Sequence, residues 1–221
     1  MKLNDGSQKN TGKLFQELLA IMKKIKYHEF KRELESYGKT YFTIQDLKKN
    51  YRNKKSSLKN LLSRWAKEKI ILPLSNGCYC FDIEKLDYLN FACNLVKPSY
   101  ISLEYALNYH GIIDQIPQVV TLISTGRHKF VYSGPYTFEF TKIKKELFFG
   151  FSKTGSYYIA SPEKALLDII YLTVRNKRLV DFSSFNYKKI NKKKLFDLAK
   201  KFPKYVKKKH TLLQIQKKVE C

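Results

Sequence analysis

Acidic residues are scarce in this chain of 221 residues: 19 Asp and Glu stand against 43 Lys and Arg, a formal net charge of +24. A partner that is itself strongly basic is thereby excluded, and a polyanion is favoured. Cysteine is almost as sparse. Cys78, Cys80, Cys93 and Cys221 fit neither a disulfide framework nor a paired zinc-ligand spacing, so buried thiols are expected and no metal site. No stretch comes near the ~18 apolar residues that cross a bilayer. The N-terminus, MKLNDGSQKN, lacks the apolar run of a signal peptide. The expectation is a cytoplasmic protein with no membrane partner. Missing too are a P-loop, a dinucleotide fingerprint and any acid cluster with an accompanying lysine on a neighbouring strand. His28, His110, His128 and His210 are scattered, and Glu163 and Asp168, the carboxylates most easily imagined in a nuclease, lack such company. No catalytic residue and no cofactor are expected, and the chain reads as a non-enzyme.

What is present is apolar enough to fold. Hydrophobic residues make up 43% of the chain, which fills real cores in one large domain or two small ones. The charge is unevenly placed. Residues 1–95 carry +9, residues 96–174 carry +2 and residues 175–221 carry +13. Compositional bias alone would spread lysines over every exposed surface, whereas a polyanion-binding protein concentrates them where the partner lies. Nucleic acid is therefore preferred over an anionic membrane surface or mere solubility.

Along the N-terminal third, Leu14, Leu18, Ile21, Met22, Ile25, Phe30 and Leu34 keep near-helical spacing up to Gly38, a stop signal. In YFTIQDLKKNY, Thr43 is placed to cap a second helix, Asp46 stands where a capping box has Glu or Gln, and Phe42 and Leu47 form a hydrophobic staple. Next, KKSSLKNLLSRWAKEK sets Leu58, Leu61, Leu62, Trp65 and Ala66 on one helical stripe, with Asn53 or Ser56 as cap. IILPL and CYCF follow as short strands joined through Asn76-Gly77, a hairpin signal. Helix, helix, turn, helix, hairpin is the order of a winged helix-turn-helix.

In that arrangement the helix over residues 54–69 enters the major groove. Ser56, Ser57, Asn60 and Arg64 are expected to face it, Arg suiting guanine and Asn adenine. Lys54, Lys55, Lys59 and Lys67 are expected at phosphates, and Asn76 at the tip of the wing. A second basic surface is expected at the C-terminal end, where Asn191 to Lys201 reads as a helix with Leu195 and Leu198 inside. Lys192, Lys193 and Lys194 lie on its outer side, and Lys207, Lys208 and Lys209 extend the same surface.

After Lys97-Pro98 the composition turns aromatic and less charged, so a boundary is placed near residue 97. SLEYALNYHG reads as a helix capped by Ser102 and stopped at Gly111, VVTLIST as a buried strand, and YTFEFTKI as an alternating strand. FFGFSKTGSYYI reads as a hairpin turning at residues 153–156. SPEKALLDIIYLTV starts a buried helix with Ser161 as cap, Pro162 in its first position and Glu163 near its positive end. The expected fold class is α+β: an N-terminal helical extension (1–39), a winged helix-turn-helix (40–97), and a mixed α/β domain (98–221). That last domain has a small, mainly antiparallel sheet and basic C-terminal helices.

PSYISLEYALNYHGIIDQIPQVVTLIST, the Gly134, Tyr136, Phe138 strand and ASPEKALLDIIYL together resemble the abortive-infection type IV antitoxins (AbiEi-like), over roughly residues 40–175. The resemblance implies a DNA-binding antitoxin of a toxin–antitoxin system. Such a protein represses its own operon by binding inverted repeats in double-stranded DNA and opposes a nucleotidyltransferase-like toxin encoded beside it. Its oligomeric state is left open, one monomer on each half-site included. The alternatives are a stand-alone winged-helix transcriptional regulator, an adaptor holding a protein partner on the middle domain, and a nucleic-acid-processing enzyme with a hidden metal site.

Overall fold

A computed structural model describes residues 27–50, 55–75 and 77–208. The chain divides into two compact units at Asp87/Tyr88. Both α and β elements are present, as expected.

In the first unit, helix α1 (Tyr27–Ser36) buries Phe30 and Leu34. It ends in a Schellman turn: Gly38 adopts φ +65, Lys39 N–H donates to the Leu34 carbonyl at 2.9 Å, and Gly38 N–H to that of Glu35. The expected helix before residue 27 lies outside the described residues. Strand β1 (Phe42–Thr43) leads directly into α2 (Ile44–Asn50). The reach-back of a capping box is carried out by a shorter side chain, since the Asp46 carboxylate accepts from both the N–H and the hydroxyl of Thr43 at 2.9 Å. Phe42 and Leu47 are both fully buried, as a staple requires. Helix α3 (Lys55–Lys67) follows, and Ser56 lies inside it, not at its cap. Strands β2 (Leu72–Ser75) and β3 (Cys78–Cys80) close an antiparallel sheet in the order β1-β3-β2.

One core joins these elements: Phe30, Leu34, Phe42, Leu47, Leu58, Leu61, Leu62, Trp65 and Ile71 pack together. Fully burying one such side chain stabilises by about 1.5–3 kcal/mol, so no single element holds the unit. Because α1 contributes two of these residues, the described part of the N-terminal extension belongs to this unit's core.

The second unit begins with α4 (Tyr88–Leu95), whose Leu89, Phe91, Ala92 and Cys93 are buried. The helix packs on the sheet of this unit, which is why the division falls earlier than the boundary expected near residue 97. There follow β4 (Ser99–Ile101), α5 (Leu103–Tyr109), β5 (Val120–Ser124), β6 (Lys129–Ser133), β7 (Tyr136–Lys142), β8 (Phe151–Thr154), β9 (Tyr157–Ala160) and α6 (Pro162–Val174). Last come α7 (Lys192–Ala199) and the short α8 (Lys204–Lys208). The six strands form one sheet in the order β6-β7-β5-β4-β9-β8. The pairs β4/β5, β6/β7 and β8/β9 are antiparallel, while β5/β7 and β4/β9 are parallel. Three of the five pairings are antiparallel, so the sheet is mainly antiparallel, as expected, with two parallel pairings that make it mixed. The hairpin of β6 and β7 folds back so that β7 returns beside β5 in the same direction, and β9 does likewise beside β4.

β5 is buried along its whole length, and α6 is buried at every residue from Glu163 to Leu172. Ser161 caps α6, accepting from Lys164 N–H at 3.3 Å, with Pro162 in the first turn. Ser102 holds the N-cap position of α5, as expected, but its side chain makes no capping bond. Its hydroxyl donates instead to Asp168 at 2.9 Å, and the Tyr105 N–H is taken by the Thr121 hydroxyl at 3.1 Å.

Candidate nucleic-acid interface

α3 has two unlike sides. Leu58, Leu61, Leu62 and Trp65 are no more than 3% exposed. Trp65 lies against Tyr27 and Phe30, with ring centroids 6.4 and 6.5 Å away. The helix is tied off by Lys69 in the left-handed region (φ 57), with Ile70 N–H donating to the Trp65 carbonyl at 2.9 Å. Ser56, Lys59, Asn60, Ser63, Arg64 and Lys67 are exposed. The polar side thus offers cations, hydroxyls and an amide on a helix whose opposite side cannot shift without opening the core.

Ser57 departs from expectation. It is only 8% exposed and cannot reach a groove. Ser57, Leu61 and Trp65 stand at i, i+4 and i+8, so the serine continues the anchored ridge instead of the polar face. Lys54, Asn76 and Lys209 lie outside the described residues, and of Lys55, Lys207 and Lys208 the backbone alone is described. Sequence reasoning passed over Lys48 and Lys49, exposed in the last turn of α2 immediately before the segment that leads into α3. Their position at a helix C-terminus was the available signal. The acid of α2 adds little negative field. Burial raises the Asp46 carboxyl, but the Lys39 ammonium at 2.6 Å and the Thr43 donors outweigh it and hold Asp46 below its ordinary range.

In the second unit, α7 starts at Asn191, whose side chain accepts from Lys194 N–H at 3.0 Å. Leu195 is buried and Leu198 half-buried, while Lys192, Lys193 and Lys194 are exposed. Lys194 is partly committed, because its ammonium pairs with the buried Glu163 carboxylate at 3.0 Å. Glu163 also accepts from the Ser161 hydroxyl and the Asn191 N–H. Burial pushes its carboxyl up, and these partners, Lys194 first, bring it below its ordinary value. Lys200 pairs with Asp197 at 2.7 Å, and Lys201 lies over the Phe149 ring at 4.8 Å.

The SPEKALLD stretch holds an arrangement that periodicity did not reveal. Lys164 is wholly buried and bonded to Asp168, also wholly buried. The Tyr100 hydroxyl accepts from the Lys164 ammonium at 2.8 Å and donates to Asp168 at 2.9 Å, and Ser102 supplies a further donor to the same carboxylate. Three rings, Tyr100, Phe149 and Phe202, surround the ammonium at 5.1 to 5.3 Å. Burial lowers the Lys164 ammonium and raises the Asp168 carboxyl, each shift opposed by the other charge. Every oxygen of Asp168 is occupied and solvent is excluded, so the group braces strand β4 against helix α6. Both carboxylates considered for a nuclease are therefore engaged, Glu163 at the start of α6 and Asp168 within it. Among the described residues no group of three or more His, Cys, Asp or Glu side chains is placed to hold a metal ion, and no helix is long and apolar enough to cross a membrane. No protein-family model matches the chain, and no curated protein matches it in sequence.

Proposed function

We propose that the chain is a DNA-binding regulator of the type IV antitoxin kind, whose first unit is a winged helix-turn-helix with α3 as recognition helix. The observation that carries this reading is the two-sided build of α3, a basic and amide-bearing exposed face on a helix pinned through Trp65. Strand β3 and its neighbour β2 then form the wing. Asn60 and Arg64 read base edges, while Lys59 and Lys67 position the helix on phosphates. Lys192 and Lys193 add a second, sequence-independent contact. The operon-repressing and toxin-opposing roles rest on the resemblance of the middle of the chain to AbiEi-like antitoxins, and they assign the protein to the cytoplasm, without catalysis or cofactor.

Footprinting on the DNA upstream of the protein's own gene tests the first part. Protection of an inverted repeat, lost when Asn60 and Arg64 are both changed to Ala, is the expected result, and uniform weak protection sinks it. Co-expression with the neighbouring gene product tests the second, with rescue of growth expected and no effect on toxicity contradicting it.

A further inference from the structure

β6 is an outer strand of the six-stranded sheet and pairs on one side only, with β7. Open edges are normally blunted by charge, by bulges or by covering elements. This one carries large rings instead. Phe130 is 47% and Tyr132 73% exposed. Two residues apart on a strand, they share one face of the sheet. Their rings are near parallel, inclined by 15° with centroids 6.5 Å apart, and the exposed His128 ring stands edge-on to Phe130 at 5.5 Å. Three aromatic rings thus run in file along an accessible edge.

Cations lie near the file. Arg127 is exposed just before the strand, and a hollow of about 260 Å³ is lined by His128, Lys142, Lys177, Thr141 and Glu139, while Lys129 turns to the other face, its ammonium 5.9 Å over the Phe140 ring. The acid in that hollow, Glu139, is already hydrogen-bonded. Arg178 holds Glu139 through two bonds of 3.0 and 2.9 Å and also binds Glu104. One guanidinium serves two carboxylates, so it is Lys142 and Lys177 that bring this group of five charges to a net +1, and an anion entering the hollow meets those two ammonium groups.

We propose that this edge binds single-stranded nucleic acid, with bases lying against Phe130 and Tyr132 and phosphates held by Lys142, Lys177 and Arg127. Accessible rings joined to a positive track are what a single strand requires, since any base has a face to stack. A duplex keeps its base faces inside its own stack and gains nothing from the rings. A second copy of this chain, paired edge to edge through β6, would bring two clusters of like charge together. The site lies in a different unit from the proposed recognition helix and does not depend on the duplex-binding reading.

The test is fluorescence anisotropy of the full chain with labelled oligothymidylate, oligouridylate, an abasic strand with the same number of phosphates, and a duplex of the same length. Base-bearing single strands should bind more tightly than the abasic strand. Phe130→Ala with Tyr132→Ala should weaken them by on the order of tenfold for each ring, leaving abasic strand and duplex unchanged, and Tyr132→Phe should retain binding. Whichever homopolymer binds better identifies DNA or RNA as the source. Equal affinity for base-bearing and abasic strands would overturn the proposal, as would equal losses on all four ligands. Sedimentation showing a dimer that the double alanine variant abolishes would overturn it in favour of a second copy.

Discussion

Lys164 and Asp168 stand one helical turn apart on α6 and are bonded to each other where neither meets solvent. Removing one member of such a pair strands the other charge, at a cost of about 3–5 kcal/mol. Lys164→Met and Asp168→Leu should each lower the stability of the second unit by that order in denaturant unfolding. The double variant should recover a large part of the loss, and additive losses would mean that the two charges are not coupled in the folded chain.

Trp65 anchors the candidate recognition helix. Trp65→Ala should cost the first unit about 3–5 kcal/mol, read by thermal unfolding, and duplex binding should vanish at temperatures where that unit is unfolded. Unchanged unfolding would place the indole outside the core.

On the exposed face of α3, Arg64→Ala or Asn60→Ala should weaken binding to the preferred operator by about 1–3 kcal/mol and leave random DNA nearly unaffected. Parallel losses on both would show that these side chains do not read bases. Ser57→Ala should be silent in the same assay, because the serine is turned inward.

The lysines of α7 separate by role. Lys192→Gln and Lys193→Gln should each flatten the dependence of log K on log salt by about 0.9 if each holds a phosphate, with no change in unfolding. Lys194→Gln should also destabilise the second unit, since it removes the partner of buried Glu163. An unchanged salt slope in all three would remove this surface from the DNA contact.

Glu163 makes stability depend on pH. Its folded carboxyl lies below the ordinary value of 4.5. A depressed carboxyl contributes stability that is present above the unfolded pKa and is lost as pH falls through the folded one. The second unit should therefore weaken below about pH 4.5, and Glu163→Gln should flatten that acid limb; an identical limb in the variant would show that Glu163 does not contribute to it.

Much of this was readable before any coordinates. The strands around Val120–Ser124 and Tyr136–Lys142, the hairpin at Phe151–Ala160 and the cap and first turn of α6 follow from alternation and capping chemistry within a few residues. The misses share a cause. Ser102 stands at the N-cap as its neighbours suggest, yet its hydroxyl serves Asp168, a residue distant in sequence, and not the helix. Ser57 looked like part of the polar face because it is a serine, but burial follows the column it shares with Leu61 and Trp65. The parallel pairing of β5 with β7 was hidden for the same reason, since strand direction is settled by the return of a hairpin and not by the residues of either strand.

The strand order β6-β7-β5-β4-β9-β8 also imposes a schedule on synthesis. The elements of the first unit lie close together along the chain, and all precede Tyr88. At the centre of the second unit, β4 waits for β9, with Ile101 opposite Ile159. Closing so long a loop is slow compared with forming neighbouring hairpins. On the ribosome, the first unit can therefore be complete while β4 still exposes an unpaired edge, and the sheet closes only once the segment ending in Ala160 has emerged.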